Sequence, residues 1–237
     1  MAATIKTRIL AKLFPDTDGD GSETFVSELT NKKDLFEQSI WEVANMLPVK
    51  LLIGVAADPA NPTIAPHSLI VHEKVLLVLR NSKEDGSGED IACKEISIED
   101  SFRALDSTSI HYATPRSPVY WVHRKPGASS PEVSIAPFPA VKLTVYTYKR
   151  QNVGVDAGEI NYDTATYVDN IPDEAIEAIC GMTAMKIMQQ KLSYMSNDEE
   201  DAELYQIFQG NLQQIESALR DSIKMLTPGE GLQERDK

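Results

Sequence analysis

Apolar residues recur every three to four positions near both ends of this sequence, and closer to every second position in its middle. Ile5, Ile9, Leu10 and Leu13 share one face of a short helix that Pro15 ends. Asp16 to Ser22 is almost wholly Asp and Gly and reads as a loop. A second helix follows, with Asn31 as its cap and Asp34 in its first turn. Phe36, Ile40, Val43, Ala44 and Leu47 form its stripe, and Pro48 stops it. The rhythm then shortens. Val75 to Leu79 is an apolar run of strand length, Asn81 to Gly88 is a turn, and Ile91 to Ile98 is the returning partner strand. Ser101 to Leu105 has the length of one helical turn. Val119 to Val122, Glu132 to Ala136 and Val141 to Tyr148 complete the strands, the last rich in the β-branched and aromatic residues that suit a half-buried pleat.

The final third returns to helical spacing. Pro172 stands at a helix start with Asp173 and Glu174, where the helix dipole favours negative charge. Ile176, Ile179, Cys180, Thr183, Ile187, Met188, Leu192 and Met195 follow at helical steps. Ser196 with Glu199 reads as a capping box for another helix, whose stripe is Leu204, Phe208, Leu212, Ile215, Leu219, Ile223 and Leu226. So short a connection between two long helices predicts an antiparallel hairpin. The fold class expected is α+β: helices at the N-terminus, a central small antiparallel β-sheet and a long C-terminal antiparallel helical hairpin. We read residues 1–237 as a single domain, with helices over 1–48, a β-rich part over 49–150, the hairpin over 171–226 and a flexible tail over 227–237.

Composition narrows the function. The 237 residues are 42% hydrophobic and 25% charged, which suits a folded, soluble chain. There are 23 Lys and Arg against 36 Asp and Glu, a net charge of −13. From Arg150 onward the count is 7 basic to 17 acidic, a net of −10. That excess opposes general nucleic-acid binding, which needs a basic face to displace phosphate counterions. Carboxylates keep a helix face solvated, and they also suit a surface past which a polyanion slides without sticking. The longest apolar run, Leu51 to Ala57, is far short of the roughly 20 residues of a membrane span. The opening residues lack the apolar core of a secretory signal. Cys93 and Cys180 form no CxxC pair, so synthesis in a reducing compartment is expected.

Chemistry-bearing motifs are sparse. Asp16-Thr17-Asp18-Gly19-Asp20-Gly21 matches the opening of an EF-hand loop, with acids at positions one, three and five and glycine at six. The match then fails, because Glu23 replaces the usual aliphatic residue and position twelve is Ser27. A surface Asp/Gly loop is the plainer reading; a weak Ca2+ site on Asp16, Asp18 and Asp20 is the alternative. His67, His72, His111 and His123 are scattered without HExxH spacing, and neither GxSxG nor a P-loop occurs. Gly86-Ser87-Gly88 is better explained as a hairpin tip. No catalytic or cofactor-binding constellation is visible, and the expectation is that the chain is not an enzyme.

The order of blocks points elsewhere. "KDLFEQSIWEVANMLP" is followed by "SPVYWVH" and "VSIAPFPA", then "VYTYKR", then "IPDEAIEAICGMTAMKIMQQKLSYMSNDEEDAELYQIFQGNLQQIESAL". The last block resembles the C-terminal helical hairpin of tailed-bacteriophage virion proteins from the neck region. There, an Ile-Pro acidic start leads to an Ala-rich helix, an acidic turn and a second helix. The aromatic strand followed by a Pro-punctuated strand is also similar to such proteins. The resemblance spans residues 32–226 and implies a head-to-tail adaptor or connector, a structural protein of the virion made in the bacterial host cytoplasm. It implies a homo-oligomer, a twelve-fold ring (dodecamer), beneath the portal protein and above a tail or stopper protein, with genomic DNA passing through the channel. Docking parts would then be Met1 to Phe14, the loop Asp58 to Ser68 with Pro59, Pro62 and Pro66, and the tail after Leu226. Glu199, Glu200, Asp201 and Glu203 would face the channel or an adjacent subunit. A tail-completion or stopper subunit is the alternative, ahead of a cation-binding domain or an uncharacterised enzyme.

Overall fold

The computed structural model describes residues 3–13, 31–55, 67–69, 73–83, 87–124, 126–137, 143–154, 156, 159–195 and 202–227. In chain order the helices are α1 (Ile5–Leu13), α2 (Lys32–Met46), α3 (Val49–Val55), α4 (Ile98–Leu105), α5 (Ile176–Met195) and α6 (Ala202–Leu226). The strands are β1 (His67–Ser68), β2 (Glu73–Asn81), β3 (Asp90–Ala92), β4 (Lys94–Glu95), β5 (Val119–His123), β6 (Glu132–Ala136) and β7 (Leu143–Lys149). The chain is mixed α+β, with N-terminal helices, a small β-part of mainly antiparallel pairs and a C-terminal helical pair in contact. It divides into two compact units. Unit 1 is Met1–Leu51 with Arg150–Lys237, and unit 2 is Leu52–Lys149.

Unit 1 is helical and built around α5, against which α1, α2 and α6 all pack. The sequence pattern predicts one apolar stripe on α5, but Ala178, Gly181, Met182 and Ala184 are buried as well. Neighbours on several sides leave this helix little polar face. Its one buried hydroxyl, Thr183 Oγ1, donates to Ile179 O at 2.8 Å, as burial demands. Leu219 of α6 lies over Gly181, where a methyl group would sit 3.5 Å from Leu219 Cδ1. Positions 181 and 219 lie at similar distances on either side of the connection between the two helices, as antiparallel pairing requires. Pro172 opens a 3-10 turn (Asp173–Ala175), through which the chain enters α5.

The stripes of α1 and α2 are buried as patterned, and Phe36 meets Tyr162 edge-on at 5.6 Å between ring centroids. Asn31 precedes α2, yet its side chain makes no capping bond; its backbone carbonyl accepts from Leu35 N–H instead. Ion pairs tie the surface of the bundle: Lys186 with Glu42 at 2.7 Å, Arg150 with Glu37 at 2.8 Å and Lys12 with Glu177 at 2.8 Å. On α6, Phe208, Ile215, Leu219 and Leu226 are buried, while Leu204 at the start of its expected stripe is exposed.

Unit 2 contains two sheets, of strand order β1-β6-β5-β4 and β3-β2-β7. Leu69, Cys93, Tyr120, Val133 and Ile135 pack with Val78, Leu143 and Val145 in one apolar cluster that draws on both sheets. The expected partner strand over Ile91 to Ile98 is broken. β3 pairs antiparallel with β2, Cys93 turns into the core, and β4 joins the other sheet parallel to β5. Parallel neighbours need a crossover. Here it consists of α4, two turns rather than one, and the loop of residues 106–118. Arg80 is buried and satisfied by donating from Nε to Pro137 O at 2.8 Å and from a terminal nitrogen to Asn81 O at 2.7 Å. The Asn81 side chain shapes the hairpin start, donating to Gly88 O and accepting from the N–H groups of Lys83 and Gly88. α3 follows Pro48 directly, so helix extends beyond the point where the sequence pattern gives way to strands.

Candidate interaction surfaces

Asp16, Asp18 and Asp20, the proposed cation ligands, lie outside the described residues, as do Pro59, Pro62, Pro66, Glu199, Glu200 and Asp201. Glu203 falls in the first turn of α6, with its side chain outside the described set. Among the described residues, no group of three or more His, Cys, Asp or Glu gathers to hold a metal ion. No helix among them is long and apolar enough to cross a membrane. Residues 5–13 of the expected N-terminal docking segment form α1, whose four buried apolar residues are already occupied within unit 1.

The two cysteines are poorly placed for reaction. Cys93 and Cys180 are buried, and desolvation pushes each thiol up to about 12, away from the reactive thiolate. Burial likewise raises Tyr148 and Tyr162. Ser134 Oγ and His123 Nε2 lie 3.1 Å apart on neighbouring strands, with Glu132 directly opposite His123. This cross-strand polar cluster lines neither of the cavities described below.

The most unusual surface is α4. Ser97 Oγ accepts from Asp100 N–H at 3.1 Å and donates to the Asp100 carboxylate at 2.9 Å, which fixes the first turn. The helix turns its small residues inward: Ser101 and Ala104 are buried, and Ala104 joins Ala113, Val119, Trp121 and Ala136 in a second apolar cluster. Its large apolar residues point out. Ile98 is 51% exposed, Phe102 75% and Leu105 57%, at positions i, i+4 and i+7. The following loop adds Ile110, 94% exposed, and Tyr112, 44% exposed. That loop is held in shape. Ala113 N–H donates to Ala104 O, and Asp106 Oδ1 accepts from both the N–H and the hydroxyl of Thr108, bonds that hold its carboxyl below the usual range. A row of large apolar side chains turned outward on a fixed scaffold is the mark of a contact surface.

Beside this face is a cleft of about 450 Å³ lined by Lys94, Asp100, Arg103, His111, Tyr112 and Ser117, among others. Arg103 and Asp100 stand 3.7 Å apart, both largely exposed. A smaller groove of about 180 Å³ lies in unit 1 between α1, α5 and α6, floored by Gly181, Ala218 and Leu219. Exposed apolar side chains also flank the connection of the helical pair: Tyr194 before it, and Leu204 and Ile207 after it.

Charge separates the units. Unit 1 holds 13 Lys and Arg against 25 Asp and Glu, a net of −12, whereas unit 2 holds 10 against 11, a net of −1. The α4 face therefore sits on the nearly neutral unit. The spacing of Ile98, Phe102 and Leu105 is a helical signal present in the sequence, although the strand expected to run to Ile98 hides it. Comparison with known families, curated proteins and solved structures finds no match to this chain.

Proposed function

We propose that the chain is a structural subunit of a tailed-phage virion, a head-to-tail adaptor or connector that forms a ring between portal and tail. Two lines support the reading: the order of sequence blocks, which resembles neck proteins, and the surface chemistry of the fold. The observation that carries most weight is the outward apolar face of α4. A helix that directs Phe102 to solvent and Ala104 to the core is built to meet another surface. In this reading shape is the output. The acidic unit 1 suits a passage that DNA must traverse without adhering, since like charge opposes binding to phosphates.

The test is a native mass measurement of the purified chain, alone and mixed with portal protein. The expected result is a ring, or a portal-dependent complex with many copies of the chain. A chain that stays monomeric at micromolar concentration and ignores portal would overturn the proposal.

A further inference from the structure

We infer that the cleft between α4 and the loop of residues 106–118 is a binding site for a small phosphomonoester, a phosphate carried on a compact ring body. The inference is independent of the ring reading, because the cleft lies wholly within unit 2 and needs no second copy. Its volume of about 450 Å³ falls within the roughly 300–1,000 Å³ of small-ligand pockets. The floor is apolar. Ala104 and Val119 belong to the second apolar cluster, and Ile96 packs against it. Around that floor stand Lys94 of β4, Arg103 of α4, and His111, Tyr112 and Ser117 of the loop.

The backbone of the cleft is set before any ligand arrives. Lys94 N–H donates to Pro118 O and Ile96 N–H to Tyr120 O, both at 2.9 Å, which ties one wall to β5. On the other wall Tyr112 N–H donates to Ser109 O, and Ser117 N–H donates to Thr114 O. The side chains, by contrast, are unspent. Among the described residues, the Lys94 ammonium, the His111 ring and the hydroxyls of Tyr112 and Ser117 take part in no hydrogen bond or ion pair. Asp100 is the one carboxylate of the lining, and one of its oxygens already accepts from Ser97 Oγ at 2.9 Å. The other lies 3.7 Å from Arg103, with both side chains largely exposed, so its hold on the guanidinium is weak. A phosphate offers Arg103 and Lys94 shorter, charge-assisted bonds and has oxygens left for the hydroxyl and imidazole donors. The apolar floor takes the ring body. Preorganised walls keep the ordering cost of binding low.

Isothermal titration of the full chain at low ionic strength tests the site, with adenosine 5′-monophosphate, glucose 6-phosphate and inorganic phosphate as probes. At least one ester should bind with a dissociation constant of about 1 mM or tighter, and more tightly than inorganic phosphate. The tighter ester tells a nucleotide site from a sugar-phosphate site. Lys94→Ala with Arg103→Ala should weaken that binding at least tenfold, with circular dichroism unchanged. Asp100→Asn removes the competing charge at constant size and should strengthen it at least twofold. His111→Ala should weaken it severalfold and serves as the test if the double variant does not fold. No heat from either ester at millimolar concentration, an affinity no better than that of inorganic phosphate, or an affinity indifferent to the loss of Lys94 and Arg103 would overturn the inference and leave the ring reading untouched.

Discussion

Replacing Phe102 separates folding from assembly. In the isolated chain Phe102 is 75% exposed, so only about a quarter of its surface contributes to the fold. Full burial of such a side chain is worth about 1.5–3 kcal/mol, so Phe102→Ala should cost the fold less than about 1 kcal/mol. Phe36, which is fully buried, gives the contrast: Phe36→Ala should cost about 3–5 kcal/mol. If the outer three quarters of Phe102 become buried in a contact between copies, the same arithmetic assigns about 1–2 kcal/mol to that contact. The expected loss of affinity is about 5- to 30-fold per contact. Urea denaturation gives the first quantity and concentration-dependent sedimentation the second. A loss of fold stability of 2 kcal/mol or more would show that Phe102 is packed, and unchanged assembly would show that its exposed face is idle. Either result refutes the reasoning.

Three further outcomes follow from the packing. Gly181→Ala places a methyl at ordinary contact distance from Leu219, so helix propensity should make it neutral or stabilising by up to about 1 kcal/mol, whereas Gly181→Leu should destabilise by about 1–3 kcal/mol; thermal melts distinguish them. The Cys93 and Cys180 thiols titrate near 9 when unfolded and near 12 when folded, so the folded state holds its protons longer. Their contribution is complete below pH 9 and is lost as pH rises from 9 towards 12, at up to about 1.4 kcal/mol per pH unit per thiol, measurable by urea unfolding at stepped alkaline pH. Arg80→Ala leaves the carbonyls of Pro137 and Asn81 without their charged donor and opens a void, and should cost about 3 kcal/mol or more in denaturant unfolding.

How much of this was legible in the sequence depends on where each residue finds its partners. α2 has one apolar face and one wet face, so the spacing of Phe36, Ile40, Val43 and Ala44 suffices to place it. α5 is surrounded by other helices, and the burial of Ala178, Gly181, Met182 and Ala184 follows from neighbours distant in the chain rather than from its own period. The stretch from Ile91 to Ile98 alternates like a strand, but the partner that captures β4 is β5, some twenty-five residues later. Local pattern carries no trace of that pairing. Ile98, Phe102 and Leu105 announce a helix without saying which side is inside; that depends on the small side chains Ser101 and Ala104 settling over β5. The candidate surface was thus half visible, as composition and spacing, and its outward direction appeared only with the fold.

The central claim, that this chain acts by fitting against its own copies and its neighbours, is tested most directly by electron microscopy of the chain mixed with portal protein. The account predicts an added ring coaxial with the portal, twelve copies around a central opening wide enough for duplex DNA. Portal particles identical to those without the chain would contradict it.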